Sequence, residues 1–243
     1  MVTETSLSPI ATFHSARRGR YEVAHQGVLA LGEGTIVVEP GHNFEQGLQG
    51  LKGFDRLWLV YLFHLNQTED APPVMVKPPR FEHKVGVFAT RSPHRPNPIG
   101  ITPARLLHVA GRMLTVAQAD LLDQTPIVDI KPYLPFCDAF PEAAVGWGGL
   151  APTPYRLLWS EGARERVAEI ASAHDLRLDH YAEVQLQLDP TDTSRKRIRA
   201  TEQGFALDFR EWSLHYEVRG EAQEVWIEQV TERPEFPGPS SLK

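Results

Sequence analysis

The segment KVGVFATRSPHRPNPIGIT, residues 84–102, sets Arg91, His94, Arg95 and Asn97 within a few positions of one another, spaced by Pro93, Pro96 and Pro98. Two guanidinium groups, an imidazole and an amide are the donors that carboxylate and phosphate oxygens accept best. Proline fixes φ and pushes the residue before it toward extended backbone, so the loop is stiff. Donors on a stiff loop form a preorganised binding surface, whereas a solvated crossover needs none of them. Val85, Val87 and Phe88 predict a short strand before the loop, and residues 101–109 predict another after it.

His64 is a second candidate, at the polar exit of an apolar run, residues 54–66. A third group is Asp120, Asp123 and Asp129, which bracket a turn and a strand. Three acids so close can bind a hard cation, but Asp123-Gln124-Thr125-Pro126 is also an ordinary turn, and the carboxylates can pair with Lys131 or with the arginines of the loop. No metal is expected. The chain carries no G-x-G-x-x-G, P-loop, H-E-x-x-H or G-x-S-x-G. Cys137, the single cysteine, has no partner for a disulfide or a cysteine cluster, and its apolar, proline-flanked setting predicts a buried thiol.

With 243 residues, 42% hydrophobic and 23% charged, the chain can build a core and a smaller second one. It has no apolar run of membrane-spanning length, and MVTETSLSPIATFHS lacks the charged and apolar regions of an export signal, so a cytoplasmic protein is expected. The net charge of −6 disfavours a general nucleic-acid coat. It leaves room for a composite patch from three basic clusters: Arg17, Arg18 and Arg20; Arg91 and Arg95; and Arg195, Lys196, Arg197 and Arg199.

The elements that must position these groups are mostly strands. They are predicted at residues 9–13, 35–38, 54–66, 101–109 and 113–117, the last two turning at Gly111. The run at 54–66 is apolar on both alternating faces and reads as a strand buried on both sides. Asn43 with Gln46 predicts an N-cap and capping box for a short helix. Many short strands and few helices predict a mainly β fold, an antiparallel β-barrel over residues 5–145. A linker at 141–154 leads to a small α+β domain, residues 146–234. There Ser160 is expected to cap an amphipathic helix with Ala163, Val167, Ile170 and Ala171 on one face, 178–188 is helix or strand, and 212–218 and 225–230 are strands.

The blocks GVFATRSPHRPNPIGIT and DLLDQTPIVDIKPYLPF, with the strand ending in Phe63-His64, resemble the signature blocks of the TsaA-like family, which includes the TrmO-type tRNA methyltransferases. The resemblance extends over residues 10–139 and more weakly into the tail. It implies a β-barrel enzyme that uses S-adenosylmethionine to methylate N6 of threonylcarbamoyladenosine beside the tRNA anticodon, acting as a homodimer. Carried over by position, the cofactor contacts fall on Ala24, His25, Gln26, His64, Leu65, Arg91, Ile101, Asp123, Gln124, Thr125 and Pro126. His64, His94 and Asp123 are the candidate proton acceptors, and Arg95, Asn97, Arg195 and Lys196 are candidate substrate contacts.

Three departures from the family pattern stand out. Ala24-His25-Gln26 occupies the place of Pro-Arg-Gln, Gln124 that of a glycine, and Thr191-Asp192-Thr193-Ser194 that of Arg-Pro-Ala-Tyr. They leave two further readings open: a methyltransferase for a different, small acceptor, or a non-catalytic ligand-binding barrel.

Overall fold

Period-2 alternation of apolar residues sorts each strand into an inward and an outward face, and here the inward faces close on one another. The structure is a computed structural model that describes residues 6–233 except 18, 20, 21, 25, 31, 67–70, 79, 80, 82, 149–152, 175 and 195. It divides into two units, Met1–Arg18 with His25–Phe140, and Gly19–Ala24 with Pro141–Lys243.

The first unit contains strands β1 (Ala11–His14), β2 (Glu33–Val38), β3 (Arg56–Leu62), β4 (Met75–Val76), β5 (Val85–Gly86), β6 (Ile99–Ala110), β7 (Met113–Ala117) and β8 (Thr125–Pro132). Six of them close into a barrel in the order β1-β2-β7-β6-β3-β8, every pair antiparallel. Phe13, Ile36, Leu57, Leu59, Ala104, Leu114, Val116 and Ile127 fill it and are fully buried. Bulges between Leu106 and His108 and between Val60 and Tyr61 shift the register, so that Val109 and Ile130 still face the core.

Two glycines are set by the closeness of this packing. A Cβ on Gly34 would lie 2.1 Å from the Phe13 ring, and one on Gly100 would lie 2.3 Å from the ring of Tyr61, its cross-strand partner. No side chain fits either place.

Some expectations need correction. β3 is buried on its inward face alone: Leu57, Leu59 and Tyr61 are buried, while Trp58, Val60 and Leu62 on the outward face are half-covered. The strand expected across Val85, Val87 and Phe88 stops at Gly86 and passes into a 3₁₀ turn, Val87–Ala89, that leaves Phe88 78% exposed. Asn43 is no cap; it sits at φ 58° without a side-chain bond, ahead of the 3₁₀ turn Phe44–Leu48. Cys137 is exposed, because helix α1 (Pro135–Asp138) turns it outward at the end of β8.

The second unit holds β9 (Arg156–Trp159), α2 (Glu161–His174), α3 (Leu178–Leu186), β10 (Ile198–Thr201), β11 (Gly204–Phe209), β12 (Trp212–Arg219) and β13 (Glu224–Glu232). The sheet order is β10-β11-β12-β13-β9, with β9 parallel to β13. Ser160 accepts the Ala163 N–H at 3.1 Å as the expected N-cap, and Ala163, Val167 and Ile170 are buried in the core. The ambiguous segment is helix α3.

The mainly β barrel with a small α+β unit is thus what the alternation predicted. Among the described residues no helix is long and apolar enough to cross a membrane.

Candidate active site

Antiparallel closure decides which loops meet. β1, β3 and β7 end at the same rim of the barrel at which β2, β6 and β8 begin, because His14 pairs with Thr35, Leu62 with Ile99, and Glu33 with Ala117. The segments after His14, before Glu33, after Leu62, before Ile99 and between Ala117 and Thr125 therefore share one mouth. They carry Arg17, Gln26, His64, Leu65, the 91–97 loop and the 118–124 link.

The 91–97 loop is held by more than its prolines. Thr90 donates its hydroxyl to the Val87 carbonyl at 2.8 Å and accepts the Ser92 N–H at 3.2 Å, and the Ser92 hydroxyl accepts the His94 N–H at 3.2 Å. Such hydroxyl turns replace ladder bonds that a loop lacks. Arg95 turns back toward the Thr90 and Ser92 carbonyls, at 3.4 and 3.5 Å, and the Asn97 carbonyl accepts the Ile99 N–H at 2.7 Å. Arg91 is exposed and donates to Gln26 Oε1 at 2.6 Å, so two sequence-predicted residues 65 positions apart are joined.

Across the mouth, Asp123 is gripped from several sides. Its carboxylate accepts the Ser15 N–H at 3.1 Å and the Gln124 amide at 3.4 Å, and its own N–H donates to the Arg17 carbonyl at 2.7 Å. His14 Nδ1 lies 3.8 Å from Asp123 Oδ1 and 3.1 Å from Gln124 Nε2. Burial holds His64 below the ordinary histidine range, against the opposing pull of the Asp123 charge, so it is a neutral imidazole near pH 7. Thr125 spends its hydroxyl on the Leu122 carbonyl at 2.7 Å, and Pro126 pairs with Thr12 in the β1–β8 ladder. Leu65 and Ile101 are exposed apolar groups on the rim, Ile101 by 59%.

Asp123 thus pairs with backbone and a histidine, and Asp129 with Lys131 at 2.6 Å. No cluster of three metal-ligating side chains occurs among the described residues. Ala24 is buried in the second unit, and His25 and Arg195 lie outside the described residues. Lys196, also in the second unit, gives its ammonium to the carbonyls of Gln185 (2.5 Å), Leu188 and Asp189 (3.0 Å) at the end of α3. Three bonds use all three of its donors, so it closes the helix end. His94 is exposed on the loop.

The sequence marks Arg17 only as part of a basic cluster and Asp120 only as one of three neighbouring acids, and it gives no sign of His14, Ser15, Tyr61 and Thr102 as members of the mouth. Tyr61 and Thr102 are buried strand residues whose alternation reads as core. Asp120 lies beneath Gly27, where an added Cβ would come within 2.4 Å of Thr102 Oγ1, 2.7 Å of the Gln118 carbonyl and 3.2 Å of Asp120 Oδ1. Burial raises the Asp120 carboxyl, with the Thr102 hydroxyl bond and the charges of Arg91 and Arg17 opposing. Burial likewise pushes the Tyr61 phenol up, reinforced by the Asp120 charge.

Gln124 stands at φ 63°, the left-handed conformation that glycine adopts without cost. Its bonds to His14 and Asp123 hold it there, but both are exposed and each contributes little. Gln124→Gly should therefore raise stability by about 0.5–1 kcal/mol, seen as a higher Tm. An unchanged or lower Tm would show that the His14 contact outweighs the backbone strain.

These observations define a closed antiparallel barrel with a cationic, hydrogen-bonding mouth and a partly desolvated carboxylate and imidazole within it. Residues 12–139 match the family model of the tRNA-methyltransferase O N-terminal domain, and the chain belongs to that family. It is 35% identical over 212 residues to a putative S-adenosylmethionine-dependent methyltransferase, RcsF, of Pseudomonas aeruginosa, covering 86% of this chain and 90% of the relative. It is also 35% identical over 150 residues to the tRNA (adenine(37)-N6)-methyltransferase of Escherichia coli, covering 59% of this chain and 63% of that one. A crystal structure of TrmO from Pseudomonas aeruginosa superposes with a TM-score of 0.70 at 27% identity, over 96% of this chain and 99% of the other.

Proposed function

We propose that the chain is an S-adenosylmethionine-dependent methyltransferase that methylates N6 of threonylcarbamoyladenosine next to the tRNA anticodon, acting as a cytoplasmic homodimer. The observation that carries this is the Arg91–Gln26 pair at the barrel mouth, within the family's own domain. The mouth suits the cofactor's chemistry. Arg91, steered by Gln26, presents a charge-assisted fork to the carboxylate, and Leu65 and Ile101 offer apolar cover.

Bound S-adenosylmethionine supplies a methyl group on a positively charged sulfur, and the charge disperses as the methyl leaves. The protein needs to align the acceptor nitrogen and exclude water. That nitrogen lies between a purine and a carbamoyl carbonyl, which makes its proton more acidic than that of an ordinary amine. Of the three candidate acceptors, His94 is exposed and the Asp123 oxygens are already engaged, while His64 is half-buried and neutral near pH 7. His64 takes the proton as the methyl arrives. Asn97, exposed on the same rigid loop, is open to the acidic substrate, and Arg95, which braces the loop through the Thr90 and Ser92 carbonyls, adds its charge beside it.

The apolar outward face of β3 and β6 supports the homodimer. Trp58, Val60 and Leu62 on one strand lie beside exposed Ile99 and Ile101 on the other, Val60 directly opposite Ile101. An apolar sheet face of this kind marks an interface. Val60→Glu should convert a dimer to a monomer in sedimentation velocity without unfolding it; a dimer that persists would move the interface elsewhere. The function itself is tested by incubating the protein with methyl-labelled S-adenosylmethionine and bulk tRNA. Label should enter the tRNA, and tRNA that stays unlabelled overturns the reading.

A further inference from the structure

Asp120 carries a largely buried carboxylate at the mouth. It sits in the link between β7 and β8, the Thr102 hydroxyl donates to it, and its Oδ1 is buried without a hydrogen-bond partner among the described residues. The proline loop and the ion pairs do not account for it. A buried acceptor left unpaired costs stability and needs an explanation. Two of its neighbours are chain neighbours of proposed cofactor contacts: Gly27 follows Gln26, and Thr102 follows Ile101. Arg91, the third of those contacts, is coupled to it by charge, as are Arg17 and Tyr61.

The charge balance of the mouth makes the point sharper. Arg17 and Arg91 are permanently cationic, and a sulfonium brought to them would be repelled. A neutral thioether in the same place would not. Asp123, across the mouth, is taken up by the Ser15 N–H and the Gln124 amide, which leaves Asp120 as the carboxylate placed to offset the arginines if the cationic form is to be held.

We propose that Asp120 is a specificity-determining residue that supplies the fixed negative charge by which this site holds a sulfonium beside its arginines and discriminates it from the neutral thioether left after transfer. The inference rests on S-adenosylmethionine being the cofactor. The carboxylate favours the charged ligand before transfer and loses its hold when the sulfur becomes neutral, which helps the product leave. It stabilises the bound ground state, not the dispersed charge of the transition state, so its loss raises KM and does not lower kcat.

The test compares the affinities of S-adenosylmethionine and S-adenosylhomocysteine for the 243-residue chain by calorimetry, in wild type and Asp120→Asn. The amide keeps the shape and the Thr102 bond but carries no charge. The variant should weaken S-adenosylmethionine about tenfold, leave S-adenosylhomocysteine within about twofold, and melt no lower than wild type, because a desolvated charge is gone. Equal weakening of both ligands, or a lower melting temperature with an unchanged affinity ratio, would overturn it in favour of a structural role.

Wild-type protein gives the same test without that variant. The preference for the charged ligand is present above the raised pKa of Asp120 and is lost on acidification through it, while the buried Tyr61 phenol, pushed upward, stays protonated throughout. Thr102→Val removes the hydroxyl that favours the ionised carboxylate, so the midpoint of that loss should move to higher pH. A midpoint that does not move, whatever His64 and Asp123 do nearby, assigns the discrimination to another group. Failure of the wild type to bind S-adenosylmethionine would remove the cofactor reading and this inference together; binding with an unaltered ratio in Asp120→Asn removes the inference alone.

Discussion

Arg91→Ala should raise the Kd for S-adenosylmethionine about 100-fold while leaving the melting temperature within a degree or two. The side chain is exposed, so its removal opens no buried cavity. What is lost is a charge-assisted fork already aimed by Gln26 at 2.6 Å, and two such bonds contribute about 2–3 kcal/mol. Arg91→Lys should fall between, because an ammonium keeps the charge without the planar fork. Gln26→Ala should cost less, about fivefold, since it removes the steering and not the contact. Calorimetric titration of the three variants checks the series. Binding that survives Arg91→Ala would take the cofactor away from this mouth.

Gly100→Ala should be the most destabilising single methyl group in the barrel. Its Cβ would lie 2.3 and 2.4 Å from Tyr61 ring carbons and 2.8 Å from the hydroxyl. Tyr61 is 5% exposed and fixed in register opposite Gly100, so the ring has nowhere to go. Overpacking of this kind costs about 3 kcal/mol, which lowers Tm by about 10 °C for a unit of this size. In the double variant Gly100→Ala with Tyr61→Ala the two losses should sum to less than their separate values, because the second substitution makes room for the first. Strictly additive losses would mean that the strain arises elsewhere.

The barrel was legible because closure leaves one face of each strand inside, and the alternation of Leu57, Leu59 and Tyr61 or of Leu114 and Val116 records that directly. The apolar outward face of β3 misled for a physical reason. Trp58, Val60 and Leu62 look like core residues in sequence, yet they lie on the outward face of the barrel. Arg91 and Asp123 could be picked out because charged groups on a proline loop and at a turn have no core role. That Arg91 meets Gln26, or that His14 meets Gln124, is a consequence of strand order, which local pattern does not encode. Thr102 was hidden by alternation, and Asp120 by an adjacent turn that explained it too easily. Lys196 shows the reverse: a basic cluster suggested RNA, whereas the geometry turns this lysine onto the carbonyls at the end of α3.

The most direct measurement is methyl transfer to two tRNA preparations that differ only in whether the anticodon-flanking adenosine carries threonylcarbamoyl. Purified protein and S-adenosylmethionine are added to each, and the digested nucleosides are resolved by mass spectrometry. Threonylcarbamoyladenosine should be converted to its N6-methyl form in the first preparation, and no newly methylated adenosine should appear in the second. Methylation of both alike, or of neither, would contradict the proposed function.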